Sequence, residues 1–152
     1  MKMKYIVKSI VSIFILLTFS GCLNSTTRLE LTINSSNNIN LDKNKISTPL
    51  MLSFYELDSA EQFSKLDYWA IIDSKENRLS SDLISKNKHI ILPNQEQIYK
   101  IKFDPKAKYL GIIGNFRDLN NNSIWRYVIN LKNKSHKSVE ITIDKSKIKE
   151  VE

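Results

Sequence analysis

The chain has 152 residues, with 23 Lys or Arg against 16 Asp or Glu, a formal net charge of +7, one cysteine and two histidines. One cysteine excludes an intrachain disulfide, and His89 and His136 have no carboxylate or cysteine at metal-ligand spacing. Three glycines, one of them within the first 21 residues, are too few for a glycine-rich phosphate loop, and no nucleophile elbow or zinc motif is present.

The N-terminus reads as a targeting element. Lys2, Lys4 and Lys8 precede an almost wholly apolar run from Ile10 to Phe19, which ends in Ser20-Gly21-Cys22, the order of regions in a secretory signal peptide. A bilayer-crossing helix needs about 20 apolar residues, and this run has roughly half that, so a permanent span is not expected. Phe19-Ser20-Gly21-Cys22 resembles the lipobox of bacterial lipoproteins, which implies removal of residues 1–21 and lipidation of Cys22. Two or more acyl chains give stable membrane anchoring where one does not. Leu23, and not Asp, follows Cys22, which by resemblance to enterobacterial sorting signals permits export to the outer membrane. Loss of three leader lysines leaves 20 basic residues against 16 acids, about +4. The main motive for nucleic-acid binding goes with them.

The mature chain fits one domain. Residues 22–27 form a short polar tether, and residues 28–152 are expected to fold around one core. Leu29, Leu31 and Ile33 alternate with Glu30 and Thr32, the period of a half-buried first strand. Asn34 to Thr48 is rich in Asn, Ser, Asp and Lys, whose side chains bond nearby backbone and favour turns. At about fifteen residues it exceeds an ordinary connection, which marks it as a candidate functional loop. Leu50, Leu52 and Phe54 against Met51, Ser53 and Tyr55 then give a second strand.

Residues 59–84 or thereabouts read as a small helical insertion. Ser59 and Gln62 have capping-box spacing ahead of Phe63 and Leu66. Asp67 can cap a second helix through Tyr68, Trp69, Ala70, Ile71 and Ile72, apolar enough to pack on a sheet edge. A third helical turn is expected near Ser80 to Ile84. Five strands follow: His89–Leu92, Ile98–Phe103, Tyr109–Phe116, Ile124–Leu131 and Ser138–Asp144. The nearly continuous apolar run Tyr109-Leu110-Gly111-Ile112-Ile113-Gly114 suits a central strand covered on both faces, and Trp125, Tyr127, Ile129 and Leu131 form an inward stripe. Seven short strands with turns between them predict a mainly β protein, a two-sheet antiparallel sandwich with its helical insertion between strands two and three.

Four stretches carry a resemblance that covers nearly all of the mature chain. Thr48-Pro49-Leu50-Met51-Leu52-Ser53-Phe54-Tyr55-Glu56-Leu57 resembles an "SPxxxxxYxL" strand, Phe63 through Trp69-Ala70 an "F..AD(F/Y)xxL" helical segment, and Leu92-Pro93-Asn94 an "LxPG" turn. Tyr109 through Phe116-Arg117-Asp118, followed by Trp125-Arg126, resembles "YxGxxAxFRD…WR". Together they resemble the TssJ (SciN/VasD) family, the outer-membrane lipoproteins of the type VI secretion system. Asn94 stands where the family has Gly, Gly114-Asn115 where it has a small apolar pair, and Leu66 where it commonly has Ala.

The resemblance implies a transthyretin-like sandwich anchored to the periplasmic face of the outer membrane. It also implies a partner, the periplasmic domain of a TssM-like inner-membrane protein, joined with TssL in one complex. The family's contact loop falls on Asn34 to Thr48, so Asn38, Asn40, Leu41, Asp42, Lys43, Asn44 and Lys45 are the contact candidates, with Leu41 as apolar anchor. Pro49, Trp69, Phe116, Arg117, Asp118, Trp125 and Arg126 read as structural, with Arg117 and Asp118 placed to pair with each other or with Arg126. No catalytic residue, metal or cofactor is expected. A second reading keeps the lipoprotein but makes it a carrier of a hydrophobic ligand or secreted client. Apolar stripes longer than a core needs would favour it.

Overall fold

The computed structural model describes residues 26–73, 78–120, 122–131 and 135–151. Residues 1–21, Cys22 and most of the tether lie outside them. The described chain runs β1 (Arg28–Ser35), β2 (Leu50–Leu57), α1 (Glu61–Lys65), α2 (Tyr68–Ile72), β3 (Leu83–Ile91), β4 (Glu96–Lys102), β5 (Tyr109–Gly114), β6 (Arg126–Asn130), β7 (His136–Asp144) and β8 (Lys147–Glu150). Two four-stranded sheets form, in the orders β4-β1-β7-β8 and β3-β2-β5-β6. No helix among the described residues is long and apolar enough to cross a membrane.

The period-two pattern places the core as expected. Leu29, Leu31 and Ile33 of β1 and Ile141 and Ile143 of β7 face Leu50, Leu52 and Phe54 of β2, Ile112 of β5 and Ile129 of β6 across the sandwich. Every strand pair is antiparallel except β1 with β7, which run parallel through eight matched residues. An antiparallel reading of every pair therefore needs this one correction, because β1 and β7 both enter their sheet from the same end. At that end Arg28 N–H donates to Ser135 O, and Phe103 N–H to Thr27 O. At the other end Ser36 N–H donates to Ile143 O. The N-terminal start of β1 and the β1–β2 loop thus sit at opposite ends of one strand, which eight residues extend over about 26 Å.

Strand β5 is buried on both faces, as its apolar run requires. Tyr55, Leu57 and Ile113 form a second core with Phe63, Ile71 and Leu79 of the insertion. Gly111 makes that layer possible: a Cβ built there would lie 2.5 Å from Phe63 Cζ, and the Phe63 ring, itself fully buried and tilted at 54° against Tyr55 with centroids 5.3 Å apart, has no room to retreat.

Several boundaries differ from the sequence reading. The third strand begins at Leu83, where a helical turn was expected, and its polar middle, Lys86-Asn87-Lys88, is exposed. As an edge strand bonded only to β2, β3 can carry such residues, and edge lysines blunt edge-to-edge pairing. An eighth strand, β8, follows a tight turn. The capping box at Ser59 does not form: Ala60 is the N-cap of α1, and Ser59 Oγ accepts only from Glu61 N–H. Asp67 does cap α2, accepting from Ala70 N–H at 2.8 Å.

Adding a methyl group at Gly111→Ala drives a Cβ into Phe63, so we expect a loss of about 1–3 kcal/mol in urea unfolding. Phe63→Leu should recover part of that loss in the Gly111→Ala background, and additive losses would place the strain elsewhere.

Candidate functional site

The β1–β2 loop is built rather than slack. Ile39 is fully buried in the main core, so the loop is nailed down near its start, four residues after β1, by an apolar side chain. Asn40 follows at 6% exposure with a left-handed backbone, φ 48°, a conformation that Asn tolerates better than most residues. Its carboxamide donates to Thr48 Oγ1 at 3.0 Å and Pro49 O at 2.8 Å, and its Oδ1 accepts from Arg117 N–H at 2.9 Å. Its own N–H donates to Lys145 O. One side chain therefore joins the loop, the start of β2 and the segment after β5.

Beyond Asn40 the chain folds back on itself. Asp42 Oδ1 accepts from Asn44 N–H and Ile46 N–H, both at 2.8 Å, and Asp42 N–H donates to Ile46 O. Thr48 Oγ1 donates back to Asn40 O at 2.6 Å. The result is a small closed turn with Leu41 half-buried, Lys43, Asn44 and Lys45 exposed, and Ile46 60% exposed. A groove of about 1010 Å³ opens beside this turn, bounded by the loop, by Phe116, Arg117 and Asp118 after β5, by Lys145 of the β7–β8 turn and by Lys147 at the start of β8.

Of the expected contact residues, Leu41, Asp42, Lys43 and Lys45 border this groove; Asn38 and Asn44 do not. Asn38 accepts from the Ser36 hydroxyl instead. Asn40 also borders it, 6% exposed and with its carboxamide bonded to Thr48, Pro49 and Arg117, which makes it the joint of the loop. The expected apolar anchor, Leu41, is partly covered, whereas Ile46 is the large apolar side chain of the loop that faces solvent. Sequence reasoning missed Ile46, and also Lys145 and Lys147, which reach the site only through the fold.

The residues read as structural divide as well. Phe116 is buried, and its ring fills the space that the missing side chain of Gly114 leaves. The expected ion pairing among Arg117, Asp118 and Arg126 is absent from the described contacts. Asp118 accepts from Asn120 N–H and Nδ2, and Arg117 Nε donates to Thr48 Oγ1 at 3.2 Å. Arg126 turns to the insertion, where its Nη1 donates to Phe63 O at 2.6 Å and Leu66 O at 2.8 Å, carbonyls at the end of α1 that the helix leaves without partners. Burial pulls its pKa below the ordinary arginine value, and its guanidinium lies 4.8 Å from the Trp125 ring centre. Trp125 in turn meets Tyr68 edge-on at 5.4 Å. Trp69, expected to pack on a sheet edge, is 71% exposed; a five-residue helix buries one narrow stripe, and here Ile71 takes it.

The family described as Type VI secretion lipoprotein, VasD, EvfM, TssJ matches residues 27–146. The chain belongs to this family. Among solved structures it is similar to the T6SS lipoprotein TssJ1 from Pseudomonas aeruginosa, at 26% identity, covering 83% of this chain and 95% of that one, with a TM-score of 0.77. Two further structures share the fold. They are Serratia marcescens Lip, a membrane-bound component of the type VI secretion system (17% identity, 83% and 98% covered, TM-score 0.74), and a chain of the T6SS protein TssM C-terminal domain (869-1107) structure from EAEC (19%, 83% and 98%, 0.69). No curated protein matches the chain.

The stretches that resemble the type VI secretion lipoproteins have physical tasks here. The Gly of the "YxG" segment, Gly111, admits Phe63 of the helical segment, and the "WR" pair, Trp125-Arg126, holds the same insertion from the neighbouring strand. Asn94, in place of the family's Gly, has φ 56°; Asn is among the few non-glycine residues that visit this region routinely, so the exchange keeps the turn.

Asn40→Ala places alanine at a positive φ and leaves Pro49 O and Arg117 N–H without their side-chain partner. We expect a loss of about 2–4 kcal/mol in equilibrium unfolding. Lys43→Ala, on the exposed turn, should stay within about 0.5 kcal/mol of wild type. Equal effects of the two would contradict the joint assigned to Asn40.

Proposed function

We propose that this type VI secretion lipoprotein is a structural tether within the secretion system's membrane complex. Acyl chains on Cys22 hold it to the periplasmic face of the outer membrane, and the groove end holds the periplasmic domain of a TssM-like inner-membrane protein, with TssL in the same complex. The protein acts by binding and performs no catalysis.

One observation carries this reading: the start of β1, six residues after Cys22, and the groove lie at opposite ends of that strand. Six residues from Cys22 to Arg28 reach at most about 20 Å, so the lipid keeps the tether end near the membrane while the pinned loop faces away from it. A rigid loop is also the right device for holding a partner, since little ordering entropy remains to be lost on binding. The carrier reading finds less support. The inward stripes of the two sheets are consumed in packing against each other, with Leu31, Ile33, Leu52, Ile112, Ile141 and Ile143 fully buried, and the groove described above lies outside that core.

Cys22→Ser is expected to release the protein from the membrane fraction while its circular dichroism and melting temperature stay unchanged; outer-membrane fractionation like wild type would refute lipid anchoring at this residue. Replacement of residues 41–46 by a Gly/Ser link, with Asn40 kept, should weaken capture of the TssM-like protein by the detergent-extracted full-length chain at least about tenfold. A melting temperature within a few degrees of wild type would show that the domain survives the exchange, and undiminished capture by that folded variant would count against the loop. Recovery of a lipid or secreted client in place of the inner-membrane protein would favour the carrier.

A further inference from the structure

The groove is electrostatically one-sided. Lys43, Lys45, Lys145, Lys147 and Arg117 border it, against two acids, Asp42 and Asp118. Both acids are engaged inside their own turns, Asp42 with Asn44 N–H and Ile46 N–H, Asp118 with Asn120. None of the five bases has a carboxylate partner in the described contacts, whereas lysines elsewhere do: Lys65 with Glu61, Lys100 with Glu30 and Lys108 with Asp58.

Two of the groove lysines sit where the backbone disfavours them. Lys45 has φ 62° and Lys145 has φ 52°, left-handed positions at which Gly or Asn is the low-energy choice. The same loop does carry Asn at its other left-handed position, Asn40. Bases therefore stand at two sites where a neutral residue would relieve strain.

We propose that the groove receives an acidic segment of the protein partner, Asp or Glu side chains entering between the β1–β2 loop and the β7–β8 turn while an apolar side chain covers Ile46 and Leu41. This deepens the tether reading and rests on it. Carboxylate recognition follows from the uncompensated bases, and a protein occupant from the apolar Leu41 that borders the groove and the exposed Ile46 that follows Lys45 in the same turn, which a bare polyanion could not use. A membrane occupant is disfavoured by position, because the groove points away from the end that the lipid holds.

The test uses full-length lipidated protein in detergent and the periplasmic domain of the TssM-like protein. Affinity should fall at least about tenfold between roughly 0.05 and 0.5 M salt. Zero-length carbodiimide coupling should join Lys43, Lys45, Lys145 or Lys147 to Asp or Glu of the partner. Reversal of all four lysines to Glu should abolish binding without unfolding the domain, and Arg at the same four positions should retain it. Lys145→Asn supplies the sharper control: relief of the left-handed strain should hold or raise the melting temperature while binding weakens. Wild-type complex formation that is indifferent to salt and to charge reversal, with couplings elsewhere, would overturn the acidic occupant and leave the tether reading standing. Absence of any complex with wild-type protein would sink the tether reading and this inference with it. Binding of vesicles containing anionic lipid through these lysines, in place of the partner domain, would overturn the protein occupant.

Discussion

The side chain of Asn40 is the joint on which the groove end of the molecule depends. A carboxamide offers a donor and an acceptor pointing in different directions, and here the donor side reaches Thr48 and Pro49 while the acceptor side reaches the backbone of Arg117. No apolar or singly functional side chain could join these segments at once. The left-handed backbone at Asn40 is what aims the carboxamide into the gap, and the buried Ile39 beside it supplies the apolar hold that keeps the joint closed. The loop, the β7–β8 turn and the segment after β5 consequently act as one surface.

A second constraint shapes the opposite layer. Because the sheet of β2 and β5 is apolar on both faces, it needs a cover, and the helices supplying it have only five residues each. Helices so short are unstable alone and must be held from outside. Phe63 enters the space over Gly111, Arg126 takes the carbonyls of Phe63 and Leu66, and Tyr68 meets Trp125. Arg126, which looks in sequence like a member of an ion-pair network at a sheet end, is instead a fastening of this third layer.

What could be read from sequence was what period and composition encode. Alternation in residues 29–33 and 50–55 marked the two faces, and Asp67 announced the helix it caps. The Asn-rich composition of residues 34–48 marked a loop and its unusual length, but composition is blind to which of five similar asparagines turns inward; that depends on Lys145 and Arg117, distant in sequence and adjacent only in the fold. Edge strands were the other blind spot. Lys86-Asn87-Lys88 carries no apolar period because solvent lies beside β3, and β8 places only Ile148 in the core, so its lysine-rich remainder reads as a tail. Trp69 misled for the reverse reason: an aromatic residue in an apolar cluster suggests burial, and a helix of little more than one turn has too little inward surface to receive it.

The placement of tether and groove at the two ends of β1 has a mechanical meaning. In the proposed assembly, relative movement of the two membranes would pull on the lipidated N-terminus and on the loop, and the tension between them would run lengthwise through the covalent backbone of a single strand. That strand is bonded on both flanks, to β4 over seven matched residues and to β7 over eight. A lengthwise load has no free edge at which to peel these ladders apart one bond at a time; it meets them all together, in shear. The sandwich would then serve as a splint around a taut strand, and an attachment of the lipid at the other terminus would forfeit that protection.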